Sequence, residues 1–261
     1  MRALQIAATG MAAQQMRVET ISNNLANMST TGYNARRAEF ADLHYEQMAR
    51  AGAVNASDGT VLPTGVQLGL GVRPAAVSMQ LAQGSLSATG GDLDVAIEGN
   101  GYLEVTLPSG ASAYTRDGGL KRTGDGLIVT SDGFPVTPDI VIPEDARSIS
   151  INADGEVYAY FADATAAQLL GQFTLTGFSN PKGLEALGGN LFSETEASGA
   201  PVNSTPGTDG LGTLRQGFLE DSSVDAVREV TELIEAQRGY EMNAKVISAA
   251  DQMMGATTQI R

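Results

Sequence analysis

Apolar residues at Leu4, Met11, Val18 and Leu25 recur every seven positions, with Ala7, Ile21 and Met28 on the adjoining seam. A seven-residue repeat sets one stripe of a helix against a neighbouring helix, so a helix is predicted from the amino terminus to about Met28. Ser29-Thr30-Thr31-Gly32 then supplies turn formers and a glycine able to take positive φ, which ends it. At the other end Leu233, Tyr240, Ile247 and Met254 repeat at the same interval. Val230 and Ala244 fill the neighbouring seam, while Gln237 and Asp251 interrupt it. Asp221-Ser222-Ser223 offers N-cap chemistry ahead of this second helix, and Glu235 with Arg238 and Glu241 with Lys245 stand at helix-neighbour spacing on its outer face. Each helix spans about 45 to 60 Å at the standard rise per residue. A stripe this narrow stabilises a helix only through packing, so the two helices are expected to pair with each other and with other copies of the chain.

Between the helices the period changes to two. Leu127-Ile128-Val129-Thr130 and Ser148-Ile149-Ser150-Ile151 are β-branched segments, and Asp-Gly pairs stand at Asp117-Gly118, Asp125-Gly126, Asp132-Gly133 and Asp154-Gly155. This predicts successive hairpins of an all-β domain from about Arg73 to Phe218. The expected fold class is therefore α+β. Residues 1–32 and 221–261 form a helical coiled-coil part, residues 33–72 a short helix (Arg36 to Arg50) and an extended connector, and residues 73–220 a β-rich outer domain. The connector, Glu46 to Val72, is rich in Gly, Ala and Ser. Its Leu62, Pro63, Gly65, Leu68 and Leu70 combine a restricted backbone, close approach and apolar surface with no place in a domain core.

Composition narrows the chemistry. The 261 residues, 42% of them hydrophobic, are enough for a folded body. With no cysteine and no tryptophan, the chain has no disulfide, no thiolate nucleophile and no cysteine-based zinc site. One histidine, His44, excludes a multi-histidine metal centre. The net charge of −14 lies mostly in the middle of the chain, where seven basic residues face eighteen acidic ones. Such a body repels phosphates, so nucleic acid is not an expected partner. Gln5, Thr9, Gln14 and Gln15 interrupt what would be the apolar region of a cleaved secretion signal, and no stretch approaches the roughly 20 apolar residues of a membrane span.

Catalytic constellations are weak. Asp92, Asp94 and Glu98 alternate with Leu93, Val95 and Ile97, the pattern of a strand with one solvated face. Asn152-Ala153-Asp154-Gly155 shares a fragment with calcium loops but lacks the downstream bidentate Glu, and reads as a hairpin turn. Gly65, Gly69 and Gly71 do not form a dinucleotide fingerprint. His44 has no serine nucleophile arranged around it in a recognisable motif. No enzyme activity, metal or cofactor is expected.

The segment ISNNLANMSTTGY from Ile21, with Asn23, Asn24, Asn27, Thr31 and Gly32, closely resembles the amino-terminal signature of flagellar rod and hook proteins. IEAQRGYEMNAKVISAADQMM from Ile234, with Gln237, Arg238, Tyr240, Asn243 and Asp251, resembles the closing helix of the same family. LDVAIEGNGYLEV from Leu93, AYTRDGGL from Ala113 and GLIVTSDGFPV from Gly126 resemble its β-domain core, so the likeness covers essentially the whole chain. Tyr33 and Tyr102 stand where phenylalanine is commoner, and Met28 where valine is usual. Hook proteins usually carry a further β domain and proximal-rod proteins generally lack the long connector, so the resemblance points to the distal-rod type. It implies a helical homopolymer forming a rigid hollow shaft, with Leu4, Met11, Val18, Ile21, Leu25, Val230, Leu233, Tyr240, Ala244, Ile247 and Met254 at the helix interface. The partners it implies are proximal-rod proteins, the hook protein, the peptidoglycan-layer and outer-membrane rings and the type III export apparatus. The place it implies is the periplasm, reached without a cleaved signal peptide. A proximal-rod or hook subunit is the nearest alternative, and a secreted β-rich carbohydrate-active protein the alternative from another class.

Overall fold

The computed structural model describes residues 2–50, 64–161 and 166–259. They fall into two compact units. The first takes its residues from 1–25, 36–78 and 225–261, the second from 26–35 and 79–224.

In the first unit, helix α1 (Arg2–Ala26) pairs with helix α2 (Ala226–Gln259). The two run antiparallel. Gly10 faces Asn243, Gly239 faces Gln14, Arg17 reaches Glu232, and Asn24 reaches Glu229. Asp225 caps α2, its Oδ1 accepting the backbone N–H of Val227 at 3.0 Å and of Arg228 at 3.2 Å. The cap expected at Asp221-Ser222-Ser223 is not formed there. Asp221 takes the hydroxyls of Ser85 and Ser87 instead, and Ser223 Oγ accepts the Ala35 N–H.

The short helix expected from Arg36 to Arg50 is corrected to strand. β1 (Arg36–Asp42) and β2 (Tyr45–Ala49) pair with β4 (Val72–Met79) and β3 (Val66–Gly69) respectively. The Leu43 N–H to Gly71 oxygen bond at 2.8 Å and the Leu70 N–H to His44 oxygen bond at 3.3 Å join the ladders into one two-stranded ribbon. Alanines, arginines and glutamates give Arg36 to Arg50 good helix propensity, but the ribbon imposes the other period. Arg36, Ala38 and Phe40 are half-buried while Arg37 and Glu39 are exposed. A ribbon of two strands is marginal alone. Here it runs beside α1, joined by Asn24 to Arg36, by Thr9 Oγ1 to the Val72 N–H and by Arg2 to Glu46. Leu62 and Pro63 of the expected connector lie outside the described residues.

The second unit is a body of small antiparallel sheets. The largest orders its strands Glu185–Gly188, Leu191–Ser193, Ser112–Thr115, Leu103–Thr106. A three-stranded sheet comprises Ala146–Ile151, Glu156–Phe161 and Gln168–Gln172. Period-two alternation builds the core. Leu103, Val105, Ile128, Val136, Val157 and Phe173 are fully buried, while Glu104 and Thr106 turn outward. Asp154-Gly155 makes the expected turn, with Gly155 at φ 84° and its N–H donated to Asn152. Asp117-Gly118 does not. A Cβ on Gly118 would lie 1.6 Å from the Val95 carbonyl oxygen, so this glycine permits close packing between segments instead of turning a hairpin.

Candidate assembly surfaces

The inner seam of the helix pair is built from small residues. Ala7, Ala13, Ala236 and Ala250 are buried. A Cβ on Gly10 would stand 2.9 Å from Asn243 Nδ2, and one on Gly239 would stand 3.1 Å from Gln14 Cδ. Glycine in mid-helix costs roughly 1 kcal/mol against alanine, and the packing of the Asn243 and Gln14 side chains onto the two glycines is what offsets it. Those mid-helix glycines were a readable signal that the seven-residue repeat overshadowed. Of the expected interface residues, Ile21 is buried, and Leu4, Met11, Val18, Leu25, Leu233, Ala244, Ile247 and Met254 are half-buried. Val230 and Tyr240 stand exposed. So do Val227, 78% exposed, Ile234, Met242, Val246 and Met253. On a helical wheel Val227, Val230 and Ile234 lie opposite the Ala236 and Ala250 stripe, whereas Val246 and Met253 stand beside Ala250, so the first turns of α2 carry a second apolar face.

Signature residues carry specific bonds. Asn24 is 1% exposed. Its amide nitrogen donates to the Arg36 oxygen at 2.8 Å and its Oδ1 accepts the Arg36 N–H at 2.9 Å, so the side chain closes on β1 as a neighbouring strand would. Its Nδ2 also donates to Glu229 on α2 at 3.2 Å. Asn243 fills the space opposite Gly10. Asn27 Oδ1 accepts the Thr30 hydroxyl, and the Thr31 oxygen accepts Asn190 Nδ2. Asn23, Gln237 and Arg238 are exposed. On the ribbon, Gly65 and Leu68 are exposed and Leu70 is half-buried.

Among the described residues the ion pairs of α2 are not the two expected along its outer face: Arg17 of α1 bridges to it, and Arg228 pairs within it. Glu235 lies 3.7 Å from Arg17, and Glu232 takes both Arg17 at 3.3 Å and Arg228 at 3.2 Å. Burial alone would push the Glu232 carboxyl up, but hydrogen bonds and charge from Arg17 and Arg228 outweigh it and hold the group below the usual carboxylate value.

In the β body the Arg116–Glu220 ion pair has no sequence signal, because 104 residues separate its members. Arg116 is 8% exposed and Glu220 3%. The guanidinium donates to Glu220 Oε2 at 2.9 and 2.8 Å, to the Gly101 oxygen and to the Gly99 oxygen, while Glu220 Oε1 accepts the Gly84 N–H. Among the described residues no group of three metal-binding side chains occurs. His44 sits exposed on the ribbon.

Terminal helices paired through a seam of small side chains, with a second apolar face on α2 and a β body between them in sequence, define a helix-ended α+β protein. Three family models match: flagella basal body rod protein over residues 4–34, the flagellar hook protein FlgE/F/G D1 domain over 96–159, and the flagellar basal body rod FlgEFG protein C-terminal region over 215–260. The chain is 51% identical over 261 residues to flagellar basal-body rod protein FlgG of Caulobacter vibrioides, covering all of both chains. It is 49% identical over 253 residues to that of Agrobacterium fabrum and 46% over 257 residues to that of Buchnera aphidicola subsp. Acyrthosiphon pisum, covering 97% and 98% of each chain. The chain belongs to the FlgG family of flagellar basal-body rod proteins.

Proposed function

We propose that the chain is the structural subunit of the flagellar distal rod, a rigid hollow helical polymer that carries motor torque across the periplasm and outer membrane to the hook. The observation that carries this reading is the exposed apolar face of Val227, Val230 and Ile234 at the start of α2, on a helix whose opposite face is already occupied by α1. In a chain of this family, the natural cover for that face is the helix pair of another copy. The ribbon beside α1, with Tyr45, Met48, Val66 and Leu68 exposed, supplies further contact between neighbours that a shaft needs to resist bending. The subunit is exported by the flagellar type III apparatus without a cleaved signal peptide. It joins proximal-rod proteins at one end and the hook protein at the other, inside the peptidoglycan-layer and outer-membrane rings. It is not an enzyme. Electron microscopy of the purified chain, raised in concentration and seeded with isolated basal bodies, tests the reading. Ordered tubes growing from the seeds are expected; a chain that stays monomeric in the presence of seeds contradicts it.

A further inference from the structure

Residues 26–35 follow α1 in sequence, and residues 217–224 precede α2, yet both stretches pack with the β body. They are tied to each other there. The Gly32 N–H donates to the Glu220 oxygen at 2.8 Å, the Ser223 N–H to the Tyr33 oxygen at 3.0 Å, and the Ala35 N–H to Ser223 Oγ at 2.9 Å. The body holds the pair from beneath, through the Gln80 N–H on the Ala35 oxygen at 2.8 Å and Asn190 Nδ2 on the Thr31 oxygen at 3.0 Å. Gly32, at φ 66°, lies so close over the Arg116 and Asp117 backbone that a Cβ would stand 3.0 Å from the Arg116 carbonyl. The residue it covers, Arg116, is locked by Glu220, and Glu220 itself supplies the carbonyl that Gly32 binds. One buried charge pair therefore fixes the incoming and the outgoing chain at once.

We infer that this junction is a built part of the β body, complete without the helices, and that it presets where α1 ends and α2 begins before subunits stack. Starting a helix is costly because several residues are fixed for one hydrogen bond, and bringing two distant segments together adds loop-closure entropy. A junction that already holds Ala26 and Val224 at the ends of tied segments removes much of the second cost, so pairing of the helices proceeds outward from it. A buried ion pair suits this task, since its contribution is geometric specificity more than net stability. The inference rests on the polymer reading for its purpose, but the junction itself is testable on the monomer.

Amide hydrogen exchange of the dilute full-length chain gives the test. Gly32, Ala35, Gln80 and Ser223 are expected to exchange as slowly as core amides such as Leu103, and separately from amides in the middle of α1 and α2. Ile247→Asp, which disrupts the helix pair far from the junction, should leave that protection unchanged. Gly32→Ala should speed junction exchange about tenfold while leaving Leu103 and Val105 as they were, because alanine is strained at positive φ and crowds Arg116. Should Gly32→Ala fail to fold, Ser223→Ala removes only the acceptor of the Ala35 N–H, and faster exchange at that amide is the expected result. One common rate for junction and helices, or junction protection that falls in Ile247→Asp, overturns the inference. Filament formation plays no part in these readouts, so failure of the junction and failure of polymerisation are told apart.

Discussion

Replacing Arg116 by methionine isolates the energetics of the β body. The change leaves the Glu220 carboxylate, 3% exposed, with only the Gly84 N–H, and strips the Gly99 and Gly101 oxygens of their guanidinium donors. Breaking a buried pair from one side costs about 3–5 kcal/mol, because an uncompensated charge stays behind. That is a large fraction of the roughly 5–15 kcal/mol by which a domain is stable. The double variant Arg116→Met with Glu220→Leu replaces both charges by apolar groups and should recover most of the loss. Urea unfolding followed by the near-ultraviolet signal of the tyrosines measures it, since the chain has no tryptophan and Tyr102 and Tyr114 are buried in this body. With a slope of about 1–3 kcal/mol per molar urea, the single variant should lower the midpoint by about 2 M. A fall below about 0.5 M, or a double variant no better than the single one, would refute the reasoning.

The remaining predictions concern assembly. Leu25→Asp places a carboxylate in the half-buried helix seam and should abolish rod formation and motility while the tyrosine signal of the β body is unchanged; rods built from this variant would remove Leu25 from the packed interface. Glu232, held below its ordinary value of 4.5, contributes stabilisation that is full above that value and disappears as pH falls through the lower folded value. Helical circular dichroism of assembled filaments should therefore decline below pH 4.5 with a component absent from Glu232→Gln, and identical acid profiles for both would contradict this. Deleting Asn55 to Leu70 should permit polymerisation but give curved tubes in electron micrographs, whereas straight deletion rods would show that this segment does not confer stiffness.

Terminal helices were legible because each sequence repeat reports a local property, the side of one helix that packs. Leu4, Met11, Val18 and Leu25 define their stripe without reference to any other segment. The hairpin turn at Asp154-Gly155 was legible for the same reason. The ribbon was not, because what makes Arg36 to Asp42 a strand is Val72 to Met79, more than thirty residues downstream, together with the Asn24 amide. Local propensity favoured helix and a non-local ladder won. Val230 and Tyr240 satisfied the spacing rule yet stand exposed, since a repeat of seven marks an apolar stripe without stating which partner covers it. The junction was invisible for a further reason: Gly32 was legible only as the glycine that ends α1, Arg116 and Glu220 are individually ordinary, and only the fold brings the three together.

The central claim is that copies of this chain associate through their helical ends into a rod. Electron microscopy of basal bodies isolated from cells in which this chain is the sole FlgG-type subunit tests it most directly. Wild-type chain should give basal bodies with a full-length straight rod, and Ile247→Asp should give basal bodies that stop short of it although the variant is expressed with an intact β body. Full-length rods made from the Ile247→Asp chain, or none from the wild type, would contradict the account.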